Sequence, residues 1–256
     1  MIALHPNKFV YILIALLINL INMHRGNAFN LPDEAKFLLK KAENVKVRDS
    51  QDKEHILFDL LKGDKPVIIS PIYTKCPKAC SLISSGLKNS IDKLKTLGKD
   101  FTIITFSFDS TDTAEDMKRF EDRWNMDGQN WRVVTGKTGA DITSLLTSLD
   151  YQYEYNENIK EYLHPNIVVV LTPTGRISRY IYGIEPKPND LKLAVIEAKK
   201  EKSGVGIVEG FYLRCFVFDP ATKTYQLDWG FIIQTSAGLF FIFVIGILLA
   251  RSFIFD

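Results

Sequence analysis

Apolar and polar positions change period several times along this chain, and each change predicts an element. Pro66 to Tyr73 is a nearly unbroken β-branched and aromatic run, as expected of a buried strand. From Ser81 onward the apolar residues spread to Leu82, Ile83, Leu87, Ile91, Leu94 and Leu97, which is helical spacing. Phe101 to Phe108 returns to alternation and stops at Asp109-Ser110-Thr111-Asp112-Thr113, a turn rich in helix-capping residues. Asp112 or Thr113 is expected to cap a helix over about Ala114 to Trp124, with Met117 and Phe120 on one face. Trp131 to Thr135 predicts a short strand and Gly139 to Leu149 a short helix. The Tyr151/Tyr153/Tyr155 alternation that follows reads as a strand with one face in solvent. Ile167 to Leu171 is the most strand-like run, and Thr172-Pro173-Thr174-Gly175 turns it back into Ile177 to Tyr182 as a hairpin. Leu191 to Lys202 predicts a helix, and Phe211 to Asp219 a further strand. Ahead of all these, Asp33 to Asn44 tends to helix, and the residues up to 65 read as irregular. Strands alternating with helices, then a hairpin and a helix, predict a three-layer α/β domain.

The two runs left over lie at the ends. Lys8, the apolar stretch Phe9 to Ile21 and the small residues Gly26-Asn27-Ala28 have the order of a secretory signal, with cleavage expected after Ala28 and an uncleaved anchor as the alternative. Phe231 to Ala250 carries no charge and is long enough to cross a bilayer, with Trp229 at its start and Arg251 after it. The expected organisation is a signal peptide (1–28), an N-terminal extension (29–64), the α/β domain (65–202), a Cys215-containing segment and linker (203–228), a transmembrane helix (229–251) and a short cytoplasmic tail (252–256). This places the body on the periplasmic side of an inner membrane with a single span.

Composition narrows the chemistry. The roughly 200 residues between the ends suffice for one domain with a sizeable core. The net charge of +2 is spread over both signs, with no basic block or aromatic-basic stripe to suggest nucleic acid. Of the three cysteines, Cys76 and Cys80 flank Pro77-Lys78-Ala79 at the expected strand-to-helix turn. Helix N-terminal N–H groups, Lys75 and Lys78 there favour thiolate over thiol. Residues i and i+4 of a helix stand about 5–6 Å apart, close enough for both sulfurs to hold one metal. A small adjustment to about 3.5–4.5 Å between Cβ atoms also permits a disulfide. A redox pair, a soft-metal dithiolate and a merely structural disulfide therefore all remain open. Cys215 reads as a buried small hydrophobe among Phe211, Leu213, Phe216 and Phe218, as a fourth ligand, or as a partner in disulfide exchange. A Cys3His set would also suit zinc. His55 reads as a surface residue. A peroxidase would need an activated cysteine with Arg and Thr or Ser partners, and no residues can be given those roles.

A dithiol at the first strand-to-helix turn is the thioredoxin-like arrangement, and at this point the sequence resembles a known family. Tyr73-Thr74-Lys75-Cys76-Pro77-Lys78-Ala79-Cys80, Ser107 to Thr113, Trp131 to Gly136, His164-Pro165 leading into Thr172 to Arg176, Ser178 to Ile184 and Cys215 to Thr222 stand in the order seen in the SCO/SenC proteins. The resemblance is to their membrane-anchored bacterial branch, and it runs from about residue 60 to 250. Ser81 departs from it, since many members have proline directly after the second cysteine.

The resemblance implies a thioredoxin-like fold and a copper site made by Cys76, Cys80 and His164. Soft thiolates select Cu(I), and an imidazole lets the same site hold Cu(II). The implied function is a copper chaperone for the dinuclear copper centre of cytochrome c oxidase. Its implied partners are the copper-centre subunit or a similar membrane-bound cuproprotein, and an upstream copper donor or thiol reductant, since an exported dithiol meets an oxidising compartment. The alternative is a membrane-anchored thiol–disulfide oxidoreductase in which Cys76 attacks and Cys80 resolves. His164 as an ordinary loop residue belongs with that alternative.

Overall fold

The computed structural model describes residues 31–61, 63–76, 79–203 and 207–255, with backbone alone at 79–81, 202–203, 207–210 and 248–255. The expected signal segment, residues 1–28, lies outside the described residues. In chain order the main unit has helix α1 (Glu34–Phe37), strands β1 (Lys46–Asp49) and β2 (Glu54–Ile56), a 3-10 turn (Leu57–Leu60), then β3 (Val67–Ile72) and α2 (Ala79–Leu94). There follow β4 (Thr102–Ser107), α3 (Ala114–Trp124), β5 (Trp131–Gly136) and α4 (Gly139–Ser148). After the small hairpin β6 (Glu154–Asn156) and β7 (Glu161–Leu163) come β8 (Ile167–Leu171), β9 (Ile177–Tyr182) and α5 (Pro188–Ser203). The chain ends with α6 (Ile207–Arg214), β10 (Phe216–Asp219), β11 (Thr224–Leu227) and α7 (Trp229–Phe255).

Seven strands form one sheet in the order β2-β1-β5-β4-β3-β8-β9. β3, β4 and β5 run parallel, while β1 and β8 join antiparallel on either side. Every residue of β3, β4 and β8 is buried, so both faces of the sheet are covered, as the continuous apolar runs require. Successive strand residues face opposite ways. On β9 the Tyr180 hydroxyl donates to the Leu149 carbonyl at the end of α4, whereas Arg179 pairs with Glu197 of α5. α4 and α5 therefore cover opposite faces, giving the expected three layers.

Local chemistry starts the helices where the sequence anticipates. Thr113 and Asp116 close a capping box on α3, and Thr138 and Asp141 another on α4. Ile83, Leu87 and Ile91 of α2 are buried, but Leu82 stays exposed. Gly86 lets α2 meet the loop after β9, since a Cβ there would stand 2.3 Å from the Ile184 carbonyl oxygen.

Two stretches differ from expectation. Residues 33–44 contain the single helical turn Glu34–Phe37, and then a β1–β2 hairpin extends the sheet because Val47 is buried where β1 pairs with β5. Pairing with an existing sheet edge outweighs weak local helix propensity. The Phe211–Asp219 stretch is split, with helix to Arg214 and strand from Phe216. Its alternation imitates a strand, yet Tyr212 stacks on Phe216 four residues later at 5.1 Å.

The β10–β11 hairpin sits on the core through two polar latches. Glu197 accepts from Arg179 and, at 2.6 Å, from the Tyr225 hydroxyl, while the Arg179 guanidinium lies 4.2 Å from the Phe218 ring centroid. Glu34 accepts from Tyr182 at 2.7 Å and from Lys223 at 2.5 Å. Burial and the neighbouring Glu34 carboxylate push the Tyr182 phenol above its ordinary range, so it remains a donor. Asp228 alone separates β11 from α7, and its carboxylate accepts the Phe231 N–H. Within α7 none of the 19 residues Trp229–Ile247 is buried in the protein. At 1.5 Å per residue they span about 28 Å, close to the thickness of a bilayer core. One C-terminal apolar helix thus fits membrane anchoring.

Residues 152–165 are divided from the main compact unit, Pro32–Tyr151 and Asn166–Asp256. β6 and β7 pair antiparallel with Tyr155 opposite Tyr162. The Tyr162 ring lies 5.1 Å from that of Tyr155 and 5.9 Å from that of Tyr153. The expected tyrosine strand is thus a short hairpin; Tyr151, before it, is buried in the main unit.

Candidate metal centre

β3 is buried throughout and ends at Ile72, opposite Ser107 at the end of β4. The two loops that leave these parallel strands consequently start side by side. The first carries Tyr73, Thr74, Lys75 and Cys76, and its Cys76 N–H donates to the Tyr73 carbonyl at 3.3 Å. Cys76 is 6% exposed, while Lys75 extends into solvent. Tyr73 packs against Phe108 of the second loop at 5.6 Å between ring centroids.

One carboxylate ties the two loops together. Asp112 accepts from the Thr74 N–H at 2.9 Å, the Thr74 hydroxyl at 2.7 Å and the Ser107 hydroxyl at 2.5 Å, and the Lys75 ammonium stands 3.6 Å away. Its side chain is fully buried, so these charge-assisted bonds hold the turn two residues ahead of Cys76. Of the two capping candidates in the sequence, Thr113 caps α3 and Asp112 turns inward. Polar residues at the ends of apolar runs, Thr74 and Ser107, were the available signal for this hub. Asp109 accepts from the Thr111 N–H and hydroxyl and shapes the same loop. Asp116 receives Thr113 donors, with Arg119 and Lys75 nearby, and its carboxyl is held well below the usual range.

α2 begins at Ala79, so Cys76 precedes the helix and Cys80 lies in its first turn. The pair spans a turn–helix junction instead of two turns of one helix. The positive end of the helix dipole lies beside that junction. For Cys80 the backbone position alone is described, and Pro77 and Lys78 lie outside the described residues.

His164 follows β7 in the 152–165 unit and is half-buried. Its Nδ1 lies 3.2 Å from the Pro165 carbonyl. In the tautomer with its proton on Nδ1, the ring donates to this carbonyl and Nε2 keeps the lone pair. Among the described side chains no three His, Cys, Asp or Glu groups cluster around a point a metal could occupy; the Cys80 side chain is not among them. Cys215 ends α6, half-buried, with its N–H on the Phe211 and Tyr212 carbonyls and its carbonyl on the Asp228 N–H. His55, read as a surface residue, is half-buried, with Nε2 2.7 Å from Asp49. Burial raises the Asp49 carboxyl, but hydrogen bonds from His55, Lys53 and Gln51 outweigh it and hold it below its ordinary value.

A parallel-centred sheet with a cysteine turn between the interior strand β3 and the following helix defines a thioredoxin-like protein. Comparisons narrow the class. A family model described as SCO1/SenC matches residues 51–198, more than half of the chain. A crystal structure of a candidate electron transfer protein from Aquifex aeolicus VF5 is 41% identical, with 67% of this chain and 95% of that chain covered and a TM-score of 0.59. A SCO1/SenC family lipoprotein from Bacillus anthracis str. Ames is 21% identical over 64% of this chain and 96% of that one, with a TM-score of 0.55. Arabidopsis thaliana ScoI with copper bound is 19% identical over 63% of this chain and 99% of that one, with a TM-score of 0.53. The last two likenesses concern the fold alone. No curated protein matches. The chain belongs to the SCO1/SenC family.

Proposed function

We propose that this protein carries copper as cargo on Cys76, Cys80 and His164 and hands it to the dinuclear copper centre of cytochrome c oxidase during assembly. The supporting observation is the Cys76–Cys80 pair across the β3–α2 junction of a SCO1/SenC chain, with the turn ahead of Cys76 held by Asp112. A copper-bound ScoI with this fold points the same way. Two thiolates suit Cu(I), and the His164 Nε2 lone pair extends the set to Cu(II). Three ligands leave the ion open to exchange with a partner's ligands. The α7 helix confines the protein to the plane of its membrane-bound client and raises their effective concentration, with the domain on the periplasmic side.

The Aquifex relative's description as a candidate electron transfer protein favours a second reading. In it the Cys76 thiolate attacks a client disulfide, Cys80 resolves the mixed disulfide, and two electrons pass to the client as Cys76 and Cys80 pair. Cu(I) stoichiometry on the reduced full-length protein, by competition with a Cu(I) chelator, separates the two. Copper transport requires one tightly held Cu(I), weakened strongly by His164→Ala and hardly by Cys215→Ser. No copper retained, with the dithiol still reducing a client disulfide, would establish the oxidoreductase instead.

A further inference from the structure

A groove of about 400 Å³ opens between the C-terminal end of α2 and the outer side of α5, away from the cysteine turn. Its floor is apolar, made by Leu94, Phe101, Val195 and Ile196. Its rim carries three lysines, Lys93, Lys192 and Lys199, and one acid, Asp100. Lys199 is already paired, 2.7 Å from Asp100. Lys93 and Lys192 are exposed and have no acidic partner among the described residues. Two uncompensated cations above an apolar floor match an anion with a hydrophobic body. A simple soluble anion would have no use for the floor, and an apolar segment would have none for the lysines.

The connection to α7 identifies the source of that anion. The Lys192 ammonium sits 4.4 Å from the Tyr212 ring centroid on α6. The neighbouring Phe211 stacks at 5.8 Å on Phe231 in the first turn of α7, and the Arg214 guanidinium lies 5.6 Å from the same ring. Phe211 and Trp229 nevertheless remain 54% and 64% exposed, so an aromatic and basic collar surrounds the start of the apolar helix without being covered by protein. Such a collar suits the interface between water and lipid. With one residue between β11 and α7, and the latched hairpin behind it, no flexible tether separates this face from the helix.

We propose that the α2–α5 groove binds an anionic phospholipid of the surrounding bilayer. Lys93 and Lys192 hold the phosphate, and Leu94, Phe101, Val195 and Ile196 cover the glycerol and upper acyl chain. The site orients the domain on the membrane and does not depend on copper. The test uses full-length protein reconstituted in mixed phosphatidylglycerol and phosphatidylcholine vesicles, released into mild detergent, with retained lipid read by native mass spectrometry. Wild type retains phosphatidylglycerol in preference to phosphatidylcholine. Lys93→Glu with Lys192→Glu lowers that retention about tenfold or more, as two lysines near an anionic surface imply. Arginine at both positions preserves it, which shows that charge and not folding is being read. Equal retention of both lipids, or unchanged retention by the glutamate variant, overturns the proposal. Binding of inorganic phosphate as tight as that of phosphatidylglycerol also overturns it, by reassigning the groove to a soluble anion. Cu(I) stoichiometry in the glutamate variant stays at the wild-type value, so a failed copper reading and a failed lipid reading are distinguishable.

Discussion

The turn that carries Cys76 and the hairpin that precedes His164 are held in opposite ways. Thr74 and Ser107, from the ends of adjacent parallel strands, converge on one buried carboxylate, so the cysteine turn inherits the rigidity of the sheet. Residues 152–165 carry a short ladder and three tyrosine rings in contact, with Tyr155 43% exposed. Long-range hydrogen bonding fixes the first region, and the ladder and ring contacts described in the second are local.

The comparison can be broken most severely at its centre. Cys76→Ser should abolish Cu(I) retention in chelator competition while leaving thermal unfolding near wild type. Asp112→Ala comes next. It strands the Thr74 N–H and two hydroxyls in the interior, which should cost about 3 kcal/mol. Thermal unfolding should then show Tm lower by roughly 6–12 °C. If Tm hardly moves, the turn does not depend on the sheet and the contrast fails. Tyr162→Ala removes the ring that contacts Tyr153 and Tyr155, a loss of about 1 kcal/mol. Hydrogen exchange should accelerate at 152–165 and stay unchanged in β3 and β4; acceleration in both would mean that the regions unfold together.

The smallest effect belongs to the capping box behind the Asp112 loop. Thr113→Ala should lower stability by about 1 kcal/mol in urea unfolding. Its partner Asp116 has a folded pKa below its unfolded value. Its contribution is therefore fully present above about pH 4 and is lost as pH falls further, toward the folded value. Asp116→Asn should cost stability at neutral pH and flatten the acid limb of the stability curve. An acid limb as steep as wild type would assign the acid sensitivity to other carboxylates.

Much of the fold was legible because burial writes a period into the sequence. β3, β4, β8 and β9, and helices α3 and α4, fall within the runs that apolar spacing predicts, while α2 and α5 overrun theirs by a few residues. The Thr172–Gly175 reversal is there too, with Gly175 at φ 83° where a side chain would also strike Phe58. Short elements were not legible. The β1–β2 hairpin joins the sheet through β5, a neighbour of β1 some ninety residues away that no local window contains. α6 was hidden because Phe211, Leu213 and Cys215 alternate like a strand. At the site, the cysteine pair and its turn were visible from spacing, but the hub was not. Asp112 resembles an ordinary cap until β3 and β4 are set side by side.

The sequence by itself determined the class of fold, the family, the apolar C-terminal helix and the cysteine pair at the strand-to-helix turn, because periodicity and motif order are local properties. Tertiary structure alone decided that Asp112 faces inward, that the C-terminal hairpin is latched to β9 and α5, and that lysines from α2 and α5 share one groove. Each of these depends on residues distant in the chain meeting through the register of the sheet and the packing of helices, and a one-dimensional pattern carries no record of such meetings.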